Sequence, residues 1–182
     1  GRLPRFMAKA SLFKVPVLGA LMRATGQIPV ERAGSRPEQG KNSLSAANTL
    51  IEKQSSVIVY PEGTLTRDPD LWPMRGKAGA VRLALESGIP LIPAAHWGSQ
   101  RLMPRYGKKI KPFPRKTVEV MIGEPLDLSR FTGRPIDARL LNEATDVLMQ
   151  EIARLLGELR GETPPPERWD PASHQQSETG RF

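Results

Sequence analysis

Ser56-Val57-Ile58-Val59-Tyr60-Pro61-Glu62-Gly63-Thr64-Leu65-Thr66-Arg67-Asp68 reads as a short buried strand, Ser56 to Tyr60, running straight into a turn. The β-branched run favours extended backbone, and Pro61 with Gly63 ends it. Lys77 to Ser87 follows as a helix, with Ala78, Val81, Ala84 and Leu85 on one side and Gly88 closing it. Pro90 to Trp97 is a second apolar strand, made irregular by its prolines, and Thr117 to Ile122 is a third. Upstream, Gln27 to Val30 reads as a short strand and Lys41 to Gln54 as a helix. Strands alternating with helices predict an α/β fold: a mixed, largely parallel sheet flanked by helices.

The strongest helix is expected from Ile136 to Arg160, where Leu141, Leu148, Ile152, Leu155 and Leu159 recur on one face. Asp137 and Glu143 lie near its start, and Arg154 and Arg160 near its end, as the helix dipole favours. Gly161 and Pro164 stop it. Residues 161–182, with three consecutive prolines and a polar remainder, are expected to form a disordered, flexible C-terminal tail that Trp169 tacks in part to the body.

Composition narrows the chemistry. The chain has 182 residues, 38% hydrophobic, with no Cys and two His. Disulfides, thiolate nucleophiles and Cys-based zinc sites are excluded, and no metal site is expected. The net charge of +8 favours anionic partners. That charge is segregated. Residues 1–30 contain no acid, and neither does Ser87 to Val118, which holds seven Lys or Arg. Nucleic acid is not the expected partner, because aromatics are 5% and no helix-turn-helix, zinc or ribonucleoprotein signature occurs. No run reaches the ~18–20 apolar residues of a membrane span.

The residues able to carry chemistry cluster after the first strand. Ligands of open α/β sheets sit beyond the carboxyl ends of strands, where Glu62, Gly63, Thr64 and Arg67 fall. Glu62 is an acceptor, Gly63 allows close backbone approach, Thr64 offers a hydroxyl and Arg67 a phosphate-grade cation. Gly26 to Arg32 ends a strand in a cation. Arg75-Gly76-Lys77 opens a helix with two cations, which suits an anion.

In order and spacing these blocks resemble the glycerophospholipid acyltransferase family (the 1-acyl-sn-glycerol-3-phosphate, or lysophosphatidic acid, acyltransferases). Gly26-Gln27-Ile28-Pro29-Val30-Glu31-Arg32 resembles its Gly-x-Ile-Pro-Val-x-Arg block, and Tyr60 to Thr66 its Phe-Pro-Glu-Gly-Thr-Arg-Ser block. Ile89 to Ala94 resembles Val-Pro-Ile-Ile-Pro-Val, and Arg5 to Lys14 the Phe-x-Ala-Lys-x-Glu-Leu-Phe segment. Leu65 stands in place of the usual Arg, and Ser11 in place of the usual Glu. The family's His-x-x-x-x-Asp block, which precedes the Ala-Lys segment, occurs nowhere in the chain and would fall before Gly1. The resemblance therefore implies that the true N-terminus is missing and that residues 1–160 are an acyltransferase domain without its N-terminal catalytic block.

The resemblance also implies a function. The enzyme would transfer an acyl chain from acyl-coenzyme A or acyl carrier protein to a lysophosphatidic acid or similar glycerophosphate acceptor. It would need no cofactor beyond that donor. Lys9 and Arg32 would hold phosphate, with Arg67 and Lys77 in support, while Glu62, Gly63 and Thr64 would shape the glycerol pocket. His96 reads as structural, satisfied by a local hydrogen bond. The apolar, cationic stretch from Phe6 to Arg23 and the basic loop from Arg101 to Lys116 suit an anionic membrane, with peripheral placement at the cytoplasmic face. The rival is a non-catalytic phosphate- or lipid-binding relative that has lost the His–Asp pair.

Overall fold

The computed structural model describes residues 4–30, 56–107 and 109–177. The helix expected over Lys41–Gln54 and the candidate Arg32 lie outside the described residues. Two compact units are present: one gathers the described residues of Gly1–Tyr60 with Arg82–Ile89, the other those of Pro61–Val81 with Pro90–Phe182.

The first unit is built on a parallel sheet. Strand β1 (Pro4–Lys9) lies in the centre, flanked by β2 (Ile28–Val30) and β3 (Ser56–Ile58). The registers are Met7 opposite Ile28, Lys9 opposite Val30, and Phe6 opposite Ile58. A 3₁₀ turn (Ala10–Lys14) and helix α1 (Pro16–Ala24) carry the chain from β1 to β2. Proline at the start of α1 sacrifices no helical hydrogen bond. Gly19 lets α1 close on the turn, since a Cβ there would strike the Phe13 carbonyl. Gly26, at φ +68°, ends the helix; its N–H reaches Arg23 O and the Gln27 N–H reaches Met22 O, both at 2.9 Å. The Arg5 guanidinium covers Gly26 and donates to Thr25 O, while Gln27 Oε1 accepts the Phe6 amide at 2.6 Å. The Gly26-Gln27 pair thus locks β1 to the entry of β2.

One expectation changes here. β3 is not the buried strand its sequence suggests: among the described residues it lies at a sheet edge, Ser56 and Ile58 are exposed, and Val57 turns inward to pack with Ile89 on Leu83. In α1 only Gly19 is buried, and Val17 is 84% exposed.

Helix α2 (Gly79–Ser87) joins the units in sequence, its first three residues counting with the second. It starts two residues later than expected, and the Lys77 amide ahead of it meets Pro61 O at 2.8 Å. Gly88, at φ +67°, ends it.

In the second unit, β4 (Ala94–Trp97) and β5 (Glu119–Ile122) pair antiparallel, His96 opposite Val120. Pro90 and Pro93 shorten β4, as proline has no ladder donor. The largely parallel sheet does not extend here. A parallel partner needs a long crossover, and α3 (Ser99–Leu102) is a single turn. Helix α4 (Ala138–Arg160) covers one face of the pair. Asp137 caps it, accepting the Leu140 amide at 2.8 Å, and Gly161 at φ +66° ends it. Trp72, Ala95, Leu155 and Leu156 form a core cluster joined by Trp97, Met121 and Leu159. Beyond the helix, Arg168 pairs with Asp146 and ties the first part of the expected tail to α4, whereas Trp169 stacks on His174 at 3.6 Å, within the tail itself rather than on the body. No helix among the described residues is long and apolar enough to cross a membrane.

Candidate functional site

The loop from Pro61 to Lys77 is closed on itself. The Lys77 amide meets Pro61 O, and the Met74 amide meets Glu62 Oε2 at 3.1 Å. The Thr66 hydroxyl donates to Trp72 O at 2.7 Å, and the Arg67 amide faces Met74 Sδ at 3.2 Å. Asp68 Oδ1 accepts the Asp70 and Trp72 amides at 2.7 and 3.3 Å. That short polar side chain thereby stands in for backbone pairing in a tight turn. The result holds Leu71 at φ +65°, a conformation that costs an L-residue about 1–2 kcal/mol.

Glu62 is the electrostatic centre of the loop. Burial pushes its carboxyl up from 4.5 to about 7; the Met74 amide and the Thr66 hydroxyl oppose the rise, and the Asp68 charge adds to it. The Thr66 hydroxyl has one proton for two acceptors, Glu62 and Trp72 O, so its pull on the Glu62 carboxylate is divided. Gly63 sits at φ +66°, and the Lys77 side chain runs over it: a Cβ at Gly63 would lie 3.6–3.8 Å from Cδ, Cε and Nζ. The end of the Lys77 side chain therefore lies beside Gly63.

Five of the seven residues singled out from sequence (Glu62, Gly63, Thr64, Arg67 and Lys77) fall on this one loop. Arg67 is 4% exposed, so its guanidinium is part of the interior of the unit. Lys9 is in the first unit, as the last residue of β1. His96 is exposed on β4, its Nδ1 3.3 Å from Ser99 Oγ, which is a local hydrogen bond of the kind expected.

Three residues that sequence reading did not single out as loop supports fix the loop from outside. Arg105 donates to Thr66 O at 2.9 Å and Asp68 O at 2.6 Å. Arg160, the last residue of α4, lies between the rings of Trp72 and Trp97 at 4.1 and 4.5 Å and donates to Asp70 O at 2.8 Å. Met149 of α4 packs on Gly76, where a Cβ would come within 2.7 Å of its Sδ. The signal for Arg105 was its place in the acid-free stretch; for Arg160 only a helix-end cation was visible.

A strand leads into the acid-glycine-threonine turn and a helix follows it, an α/β arrangement. A family model described as Acyltransferase matches residues 1–97. The chain is 31% identical over 156 residues to the 1-acyl-sn-glycerol-3-phosphate acyltransferase of Bacillus subtilis, covering 85% of this chain and 71% of that protein. It is also 31% identical over 126 residues to the chloroplastic 1-acyl-sn-glycerol-3-phosphate acyltransferase BAT2 of Brassica napus, covering 69% of this chain but 35% of the relative. The crystal structure of the 1-acyl-sn-glycerophosphate (LPA) acyltransferase PlsC from Thermotoga maritima shares the fold, with TM-score 0.58 and 24% identity over 92% of this chain and 58% of that one. The chain belongs to the acyltransferase family, and it spans about a third of the length of its plant relative.

Proposed function

We propose that the protein transfers an acyl chain from a thioester donor, acyl-coenzyme A or acyl carrier protein, to the free hydroxyl of 1-acyl-glycerol-3-phosphate, giving phosphatidic acid. The observation that carries this is the Pro61–Lys77 loop, in which the motif residues Glu62, Gly63 and Thr64 are held in one fixed turn under the Lys77 side chain. Relatives named for this activity support it.

The chemistry assigns roles. As the acceptor hydroxyl attacks the thioester carbonyl, the C–S bond breaks, the thiol leaves, and the hydroxyl proton passes to a base. A phosphomonoester carries close to two charges and calls for several cations with directed donors. Lys9 and Arg32 take that role, Lys77 adds charge above the turn, and Arg67 supports the turn from inside. Glu62 accepts from the glycerol hydroxyl, and Thr64 donates. A positioned histidine oriented by an aspartate is the base such chemistry uses, worth about 100- to 10,000-fold in rate. No His-x-x-x-x-Asp occurs in these 182 residues, so this chain supplies the binding half. The acceptor is a membrane lipid, and the protein works as a peripheral protein on an anionic membrane at the cytoplasmic face. Residues 1–160 make up the acyltransferase domain, and the remainder is its tail.

The test is thiol release from acyl-coenzyme A by the intact protein in the presence of lysophosphatidic acid. Lys9→Ala and Arg32→Ala should each raise the acceptor KM, and unchanged kinetics in both would remove them from the site. Tight acceptor binding without thiol release would instead support the non-catalytic reading.

A further inference from the structure

We propose that Lys109, Ile110, Lys111, Phe113 and Arg115 form the surface by which this unit docks on an anionic lipid bilayer; the inference rests on the lipid-acceptor reading above. In the second unit, Phe113 is 86% exposed and Ile110 64%, though both are large apolar side chains. Lys109, Lys111 and Arg115 are exposed beside them in sequence. No acid occurs from Ser87 to Val118, so nothing nearby in sequence neutralises the cations. What sets this loop apart is the pairing: two well-exposed apolar side chains interleave with three exposed cations over seven residues. An anionic bilayer satisfies both kinds of side chain at once: headgroups attract the cations, and the acyl boundary takes the apolar tips.

The surface is also tied to the candidate site. Lys111 donates its amide to Leu102 O at 2.8 Å, fastening it to the end of α3. Arg105, in the same loop, donates to Thr66 O and Asp68 O. Docking would therefore bring the Glu62–Thr64 turn to the membrane, where a lipid acceptor resides. An acidic carrier protein could also use cations, but the lipid acceptor and the two isolated apolar tips favour the bilayer.

The experiment compares flotation of the full chain with vesicles of phosphatidylcholine alone and of phosphatidylcholine mixed with phosphatidylglycerol. Each cation near an anionic surface strengthens partitioning about fivefold, so the triple variant Lys109→Gln, Lys111→Gln, Arg115→Gln should bind the mixed vesicles roughly 100-fold more weakly. Phe113→Ser should weaken binding about tenfold without changing the preference for anionic lipid. Both sets lie on the surface, and matched unfolding transitions would confirm that they fold. Binding of a monomeric short-chain lysophosphatidic acid should be the same in all of them. Undiminished flotation of both variants would overturn the proposal. So would normal flotation with binding of acyl carrier protein lost, which would assign the loop to the carrier. Loop-dependent flotation of a chain that does not bind lysophosphatidic acid would uphold the docking surface and defeat the lipid-acceptor reading alone.

Discussion

Glu62 couples folding to pH, and the direction follows from its burial. Its carboxyl is raised from 4.5 to about 7 in the folded chain. Between those values the folded state holds a proton that the unfolded state has released. Stability from this group is therefore fully present below about pH 4.5 and is lost as pH climbs to about 7. One pKa unit corresponds to ~1.4 kcal/mol, so the wild type should lose about 2–3 kcal/mol from this group between pH 5 and pH 8. Glu62→Gln removes the charge but keeps an oxygen for the Met74 amide. The variant should track the wild type at pH 5 and exceed it by about 2–3 kcal/mol at pH 8. Urea unfolding at a series of pH values, followed by the fluorescence of Trp72 and Trp97, measures both curves. Parallel curves would refute the reasoning, because Glu62 would then titrate as an exposed carboxylate and the loop would not bury it. Glu62→Ala provides the contrast: it strands the Met74 amide and should cost about 1–3 kcal/mol even at pH 5.

The other expectations concern the supports of the same loop. Gly63→Ala places an L-residue at φ +66° with only ordinary contact to Lys77, so it should destabilise by about 1–2 kcal/mol and raise the acceptor KM, as urea midpoints and kinetics will show. Arg105→Met loses the bonds to Thr66 O and Asp68 O and should raise KM more than it lowers kcat; a change confined to unfolding would make Arg105 purely structural. Arg160→Met empties the space between two indoles of its charge, and should shift tryptophan emission and cost about 1–3 kcal/mol. Asp137→Ala removes the cap of α4 at a cost of about 1 kcal/mol by thermal melt, leaving acceptor KM untouched.

What was legible in the sequence is what local chemistry decides. Asp137 and Gly161 bound α4 within two residues of the expected limits, because caps and left-handed glycines act on their neighbours alone. The Glu62–Thr64 turn was legible for the same reason. β1 was not: Pro4–Lys9 contains a proline, two cations and an alanine, with none of the β-branched residues that announce a strand, and it is extended because β2 and β3 pair with it on both sides. The burial of β3 was overestimated because an apolar run does not say whether a strand will be central or at an edge. The direction of β5 was hidden too, since it depends on the lack of a crossover helix after Trp97.

The loop shows why a motif that ends at Ala94 does not make a site on its own. Glu62, Gly63 and Thr64 set the chemistry, yet the shape that presents them is imposed from far along the chain. Trp72 is buried against Leu155 and Leu156, its ring is covered by Arg160, and Gly76 is pressed on Met149 and Thr145. Each contact joins the loop to α4, some seventy to ninety residues later. Burying Glu62 deeply enough to raise its carboxyl requires that the loop stay closed, and closure draws on this apolar contact with α4 as well as on the loop's own hydrogen bonds. A chain carrying all four blocks but lacking α4 would have the right residues in sequence and no fixed arrangement in space. The helix that carries no motif is therefore as much a part of the site as the turn that does.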